Sequence, residues 1–211
     1  MSRGRFITFE GGEGCGKSTQ VKLLKSSLEA LGVEVLLTRE PGGTYLAEEI
    51  RRLLKDQEED APCDRAELLL FLAARAQLVR NVIEPALAAG KWVISDRFSD
   101  STLAYQGYGR GLDLAFIRAA NDFACAALKP DLTFLLETSP AVAAARMRGR
   151  ESASGVAADR IERAGDEFHA RLAEGFRRLA AAEPERIVTV DASGDIETVR
   201  ETIWKSLKRF R

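Results

Sequence analysis

Gly11, four intervening residues and then Gly16-Lys17-Ser18 give the spacing of a phosphate-binding loop within FEGGEGCGKSTQ, residues 9–20. Glycines let consecutive backbone N–H groups cup phosphate oxygens, and a helix opening there adds its positive end. Lys17 is then placed to reach β- and γ-phosphates, and the Ser18 hydroxyl to bind Mg2+. The apolar run Phe6-Ile7-Thr8-Phe9 precedes the loop and helically spaced Val21, Leu23, Leu24 and Leu28 follow it. That strand–loop–helix setting is the one the motif requires. A turn that merely starts a helix needs neither Lys17 nor Ser18. The whole loop (Gly11, Gly12, Glu13, Gly14, Cys15, Gly16, Lys17, Ser18, Thr19) therefore reads as a nucleotide site, with Cys15 a small side chain inside it.

Four other stretches carry side chains that structure alone does not demand. In TREPGGT, residues 38–44, a turn uses the proline and glycines, and Thr44 can cap the next helix. Arg39 and Glu40 are surplus to that and point to a ligand. In DRFSDSTLAYQGYGRG, residues 96–111, Asp96 ends an apolar run and is suited to Mg2+ or its waters, while Arg97 can fork onto phosphate. Ser101, Thr102, Tyr105 and Gln106 follow at helical spacing, offering hydroxyl and amide groups to a sugar or base. In LLLFLAAR, residues 68–75, Phe71 and Arg75 share a helix face, an aromatic surface beside a fork of donors. Phe71 alone would pass for core; an arginine in so apolar a run would not. In residues 146–163, RMRGRESASGVAADRIER, arginines flank a Ser/Gly/Ala-rich insert. A solvated basic helix would look similar, but beside a phosphate loop the patch reads as a cationic lid.

These residues need a frame, and alternating strand and helix patterns supply it. Strands are predicted at 5–10, 33–38, 91–96, 131–137 and 186–191. Helices are predicted at about 17–31, 64–89, 100–107, 113–127, from Pro140, 159–182 and 195–209. Continuous apolar strands imply coverage on both faces, hence a three-layer α/β fold with a parallel five-stranded sheet and sites at the strands' carboxyl ends. No repeat or linker divides the 211 residues, so one domain spanning 1–211 is expected. Lys plus Arg (31) balances Asp plus Glu (32), which argues against a nucleic-acid polymer or a membrane surface as partner. An N-terminus without a signal-peptide pattern and three scattered cysteines suggest a cytoplasmic protein with reduced thiols. The single histidine, His169, excludes Ser-His-Asp chemistry and His-rich zinc sites within one chain.

Taken together, FEGGEGCGKST, TREPGGT, FLAAR, DRFSDSTLAYQG and DRIE within a basic flap resemble the thymidylate (dTMP) kinases, of the P-loop nucleoside monophosphate kinase family, nearly end to end. The resemblance implies transfer of the γ-phosphate of ATP to dTMP with Mg2+, making dTDP, on a P-loop fold that forms a homodimer. It implies thymine stacked on Phe71, with Arg75 on its carbonyl edge. Arg39 or Glu40, with Arg97, would hold the acceptor phosphate region, and Glu13 would approach the 3′-hydroxyl. Tyr105 would press where a ribose 2′-hydroxyl would fit, and Ser101, Thr102 and Gln106 would complete the pocket. Some members carry an arginine in the loop where this chain has Gly14. As in the bacterial type, a lid arginine (Arg148, Arg150 or Arg160) would then join Lys17 and Arg97 in catalysis. A GTP-binding switch is disfavoured, because neither asparagine, Asn81 or Asn121, begins an Asn-Lys-x-Asp motif.

Overall fold

The computed structural model describes residues 3–56, 61–154, 160, 161 and 163–208. Five strands, β1 (Phe6–Glu10), β2 (Val35–Arg39), β3 (Trp92–Asp96), β4 (Leu132–Glu137) and β5 (Ile187–Asp191), form a parallel sheet in the order β2-β3-β1-β4-β5. The helices are α1 (Lys17–Glu29), α2 (Tyr45–Asp56), α3 (Asp64–Leu78), α4 (Glu84–Ala88), α5 (Ser99–Thr102), α6 (Leu114–Ala124), α7 (Pro140–Ser154), α8 (Asp166–Ala182) and α9 (Ile196–Leu207).

Alternation along β1 builds the layers. Ile7 and Phe9 join a core with Val21, Leu24 and Leu28 of α1 and Val199 and Ile203 of α9. Phe6 faces the opposite layer, packing with Leu78, Val79 and Leu87, and Leu135 of β4 meets α8 through Phe176 and Leu179. The inner strands are buried throughout, or nearly so. The edge strands β2 and β5 are half covered, so continuous burial holds for the middle of the sheet and not its rims.

The predicted elements recur with shifts that have local causes. β2 starts at Val35 rather than 33, because the Val33 N–H caps α1 by donating to the Leu28 carbonyl (3.2 Å). The helix expected over 64–89 is interrupted by a π-helical segment, Val79–Ile83. Pro85 lies just beyond it and cannot donate back, so the turn widens. A second π-helical segment, Leu103–Gly109, continues α5. Side chains at its glycines would collide with Leu114 (2.4 Å from an ideal Cβ at Gly107) and Phe168 (2.6 Å at Gly109). α6 ends at Ala124, and Ala126 and Ala127 turn left-handed (φ 48° and 59°). α8 opens at Asp166, not 159, after the extended Gly165 and with Asp166 and Glu167 at its positive end. Thr44 caps α2 as predicted, accepting from the Ala47 N–H at 3.2 Å.

The strand order reverses at β1, which lies between β3 and β4. A crevice opens at such a switch point, beyond the carboxyl ends of the strands. Register brings those ends level: Asp96 pairs with Phe9 on one side and with Arg39 on the other.

Candidate active site

The loop after β1 turns through Gly11 (φ 132°), Gly14 (φ 69°) and Gly16 (φ 92°) into α1, whose first turn has no side-chain cap. Uncapped N–H groups at a helix start favour an anion. Lys17, buried, rests its Nζ on the carbonyls of Gly11 (3.2 Å) and Gly12 (2.7 Å). Cys15 is buried and its thiol donates to the Gly12 carbonyl (3.0 Å), so it belongs to the loop's packing. Ser18 donates from Oγ to Asp96 Oδ2 at 2.8 Å, which places two oxygen donors side by side, the hard donor set that Mg2+ prefers. Among the described residues no group of three or more His, Cys, Asp or Glu side chains could hold a metal ion. Ser18 and Asp96 would supply part of the oxygen shell of such a cation. Gly14 has no space for a side chain, since an ideal Cβ would lie 2.5 Å from the Ala143 carbonyl oxygen of α7.

The loop opens into a cavity of about 650 Å3 whose walls also include Arg39, Phe71, Arg75, Arg97, Tyr105 and Gln106. Its volume suits a small-molecule ligand. Arg75, 1% exposed, donates to Glu40 Oε2 through Nε (2.9 Å) and Nη2 (2.5 Å), to Asn121 Oδ1 (2.6 Å) and to the Phe98 carbonyl (3.1 Å). Those acceptors take four of its five N–H groups. Glu40 is thereby placed as the support of Arg75 while itself lining the cavity. Arg39 is exposed at the rim and donates through Nη2 to both carboxylate oxygens of Glu48 at 3.0 Å.

The turn after β3 is strained. Arg97 has φ 73°, a conformation that side chains disfavour, and surrounding contacts hold it there. Its guanidinium donates to the Gly11 carbonyl (2.8 Å), Ser101 Oγ (3.2 Å) and Glu13, and lies 4.9 Å from the Tyr105 ring centre. Tyr105 also reaches Glu13 (3.4 Å), and burial holds its phenol protonated well above the usual range. Beneath the turn, buried Glu10 accepts from the Phe98 N–H (2.7 Å) and Ser101 Oγ (2.5 Å). Burial first, and then the charge of Asp100, push the Glu10 carboxyl up to about 8.

Of the lid, residues 155–159 and 162 lie outside the described residues, as does the side chain of Arg150 on α7. Arg148 is exposed on α7. Arg160 is drawn inward onto buried Glu67 of α3, and Ile161 beside it lines the cavity. Arg146, at the lid's root, donates to the carbonyls of Ala192 (2.8 Å) and Gly194 (3.1 Å).

Most of the side chains singled out in the sequence thus line one cavity, but sequence reasoning misses two of their supports. Glu67 and Asn121 are both buried and polar, yet their partners lie tens of residues away. A charged residue four before Phe71 and eight before Arg75, on one face of an apolar helix, is the signal that could have found Glu67.

A carboxyl raised to about 8 in the fold and ordinary when unfolded stabilises the native state most at low pH, and that contribution falls as pH rises toward 8. Glu10→Gln mimics the protonated form. Denaturant unfolding should show the variant matching the parent near pH 5 and becoming the more stable of the two by pH 8.5. A constant difference across that range would remove the buried neutral acid.

The family model described as Thymidylate kinase matches residues 9–203. The thymidylate kinase of Solidesulfovibrio magneticus is 49% identical over 201 residues, covering 94% of this chain and 96% of that protein. That of Geobacter sp. strain M21 is 48% identical, covering 98% and 92%. Among solved structures, thymidylate kinase from Ehrlichia chaffeensis superposes with a TM-score of 0.78 at 36% identity, covering 98% and 99% of the two chains. Family model, near full-length relatives and fold agree, and the chain belongs to the thymidylate kinase family.

Proposed function

We propose that this chain, one domain over residues 1–211, phosphorylates dTMP to dTDP with the γ-phosphate of ATP and Mg2+, in the cytoplasm, toward dTTP. One observation carries the reading: the amide cradle with Lys17 opens into the same cavity as Arg97, Phe71 and Arg75. A donor and an acceptor bound there would share one cleft, as in-line transfer between two bound phosphates requires.

The roles follow from chemistry and position. Loop amides and Lys17 hold the donor phosphates, and Ser18 and Asp96 hold the metal. Bound Mg2+ supplies charge neutralisation at the donor phosphates. Phe71 stacks on the base and Arg75, braced by Glu40, meets its carbonyl edge. Arg97, pinned by Glu13 and Ser101, holds the acceptor phosphate, with Arg39 at the rim. Tyr105 and Glu13 bound the sugar, and Thr102 closes the pocket wall. The acceptor is already an oxyanion, so its oxygen attacks the γ-phosphorus without a strong general base, and His169 stands on α8 away from these contacts. With Gly14 excluding a side chain from the loop, the remaining cation comes from the lid. Arg160 is held on Glu67, which leaves Arg150 and Arg148 for that role.

We also read the protein as a homodimer. Phe116 (57% exposed) and Phe123 (89%) stand seven apart on one face of α6, and neighbouring α3 exposes Leu69. Exposed aromatics in such an arrangement are usually covered by a partner.

A coupled ADP-release assay across the nucleoside monophosphates, ATP as donor, should favour dTMP; equal turnover of dCMP would reject the assignment. In the same assay Lys17→Ala should cost about 100-fold or more in kcat with the circular-dichroism spectrum retained. Arg150→Ala should lower kcat by about 1000-fold with modest change in either KM. An unaltered kcat would pass the role to Arg148. Sedimentation should give twice the chain mass, and Phe123→Asp should return the monomer; an unshifted mass would place the dimer face elsewhere.

A further inference from the structure

Buried Glu67 sits at the first turn of α3 and touches the cavity through one intermediary, Gln106. Gln106 Nε2 donates to Glu67 Oε1 at 2.8 Å, and Arg110 donates to both carboxylate oxygens (3.3 and 3.2 Å). Arg160 adds a further donor on Oε2. A carboxylate gripped by two guanidiniums is an acceptor, so the Gln106 amide is oriented with its NH2 toward Glu67. Gln106 is itself buried and lines the cavity, and its other amide end, Oε1, is the one left for a ligand. Arg75 brings the opposite polarity to the same cavity, a guanidinium N–H beyond those held by Glu40, Asn121 and Phe98.

We infer that Glu67 is the positioning residue that sets the enzyme's choice between thymine and cytosine, by locking the Gln106 amide with its oxygen toward the base. This rests on the placement of the base proposed above. Thymine offers N3–H as a donor flanked by carbonyl acceptors, matching Gln106 Oε1 and Arg75 in turn. Cytosine offers an acceptor at N3 and a donor amine at C4, the reverse of both. Gln106 could answer cytosine by rotating its amide half a turn. Glu67 forbids that rotation, since it would press Oε1 against a carboxylate with no proton between them. The carboxylate touches no substrate; its effect passes through the glutamine.

Glu67→Gln tests the inference, because a glutamine at 67 can donate to a rotated Gln106. The ratio of kcat/KM for dTMP over dCMP (or over its Ki, if dCMP is only a competitor) should fall about tenfold. The dTMP to dUMP ratio should stay unchanged, since uracil has the thymine edge, and KM for ATP should stay as in the parent. A uniform loss across the three nucleotides, or an unchanged dTMP to dCMP ratio, would overturn it and leave Glu67 as a brace for Arg110 and Arg160. Phe71→Ala, run alongside, separates the two levels. If that variant raises KM for dTMP while Glu67→Gln leaves the ratio alone, the base site stands and the orientation fails. If it leaves KM unmoved as well, the base site fails too. Should Glu67→Gln not fold, the unmutated protein decides by NMR. The Gln106 side-chain NH2 should be protected from exchange both with and without dTMP. Loss of protection on adding dTMP would show the amide turning to the base and overturn the inference.

Discussion

A guanidinium withdrawn from water costs several kcal/mol unless a carboxylate and further acceptors meet it. The arginine-lined part of the cavity depends on that condition being met repeatedly. Arg75 is matched by Glu40, Arg97 by Glu13, and Arg160 with Arg110 by Glu67, each carboxylate coming from a different element than its partner. Behind them Arg186, at the start of β5, is forked onto Asp100 (2.7 and 2.9 Å) and reaches Thr133. The pairs do two things at once. They make burial of the cations tolerable, and they fix the direction in which the remaining N–H groups point. The cavity is thus walled by cationic side chains whose orientations are fixed by protein contacts.

The sheet order explains why these pairs can form at all. Because β1 has β3 on one side and β4 on the other, the phosphate loop, the Arg97 turn and the root of the lid emerge around one crevice. The register that sets Phe9 and Arg39 level with Asp96 brings Ser18 to Asp96 and Arg97 to the Gly11 carbonyl. Residues nearly 90 apart in the chain become neighbours through strand pairing alone.

This division also accounts for what the chain disclosed before folding. Strands, most helices, the phosphate loop and the residues at the strand ends follow from local periodicity and spacing, and recur with boundaries moved by a few residues. The supports did not announce themselves. Glu67, Asn121 and Arg186 look like ordinary helical or edge residues until a partner 39, 46 or 86 positions away gives them meaning. Glu40 shows the middle case: its type and place read as ligand-facing, and the fold sets it in the cavity wall while also using it to hold Arg75. The π-helical segments were likewise hidden: helices are legible over 64–89 and 100–107, but Pro85 and the glycines 107 and 109 do not say that the turns beside them widen.

Gly14 has a mechanical side. Its missing Cβ is filled by the backbone of Ala143, so the phosphate loop and the first turn of the lid helix meet with no side chain as cushion between them. Such a contact behaves as a fulcrum. Tilting α7 inward would press on that loop, and stiffening the loop would resist the tilt in return. The set of the loop and the angle of α7 are, at this point, mechanically linked.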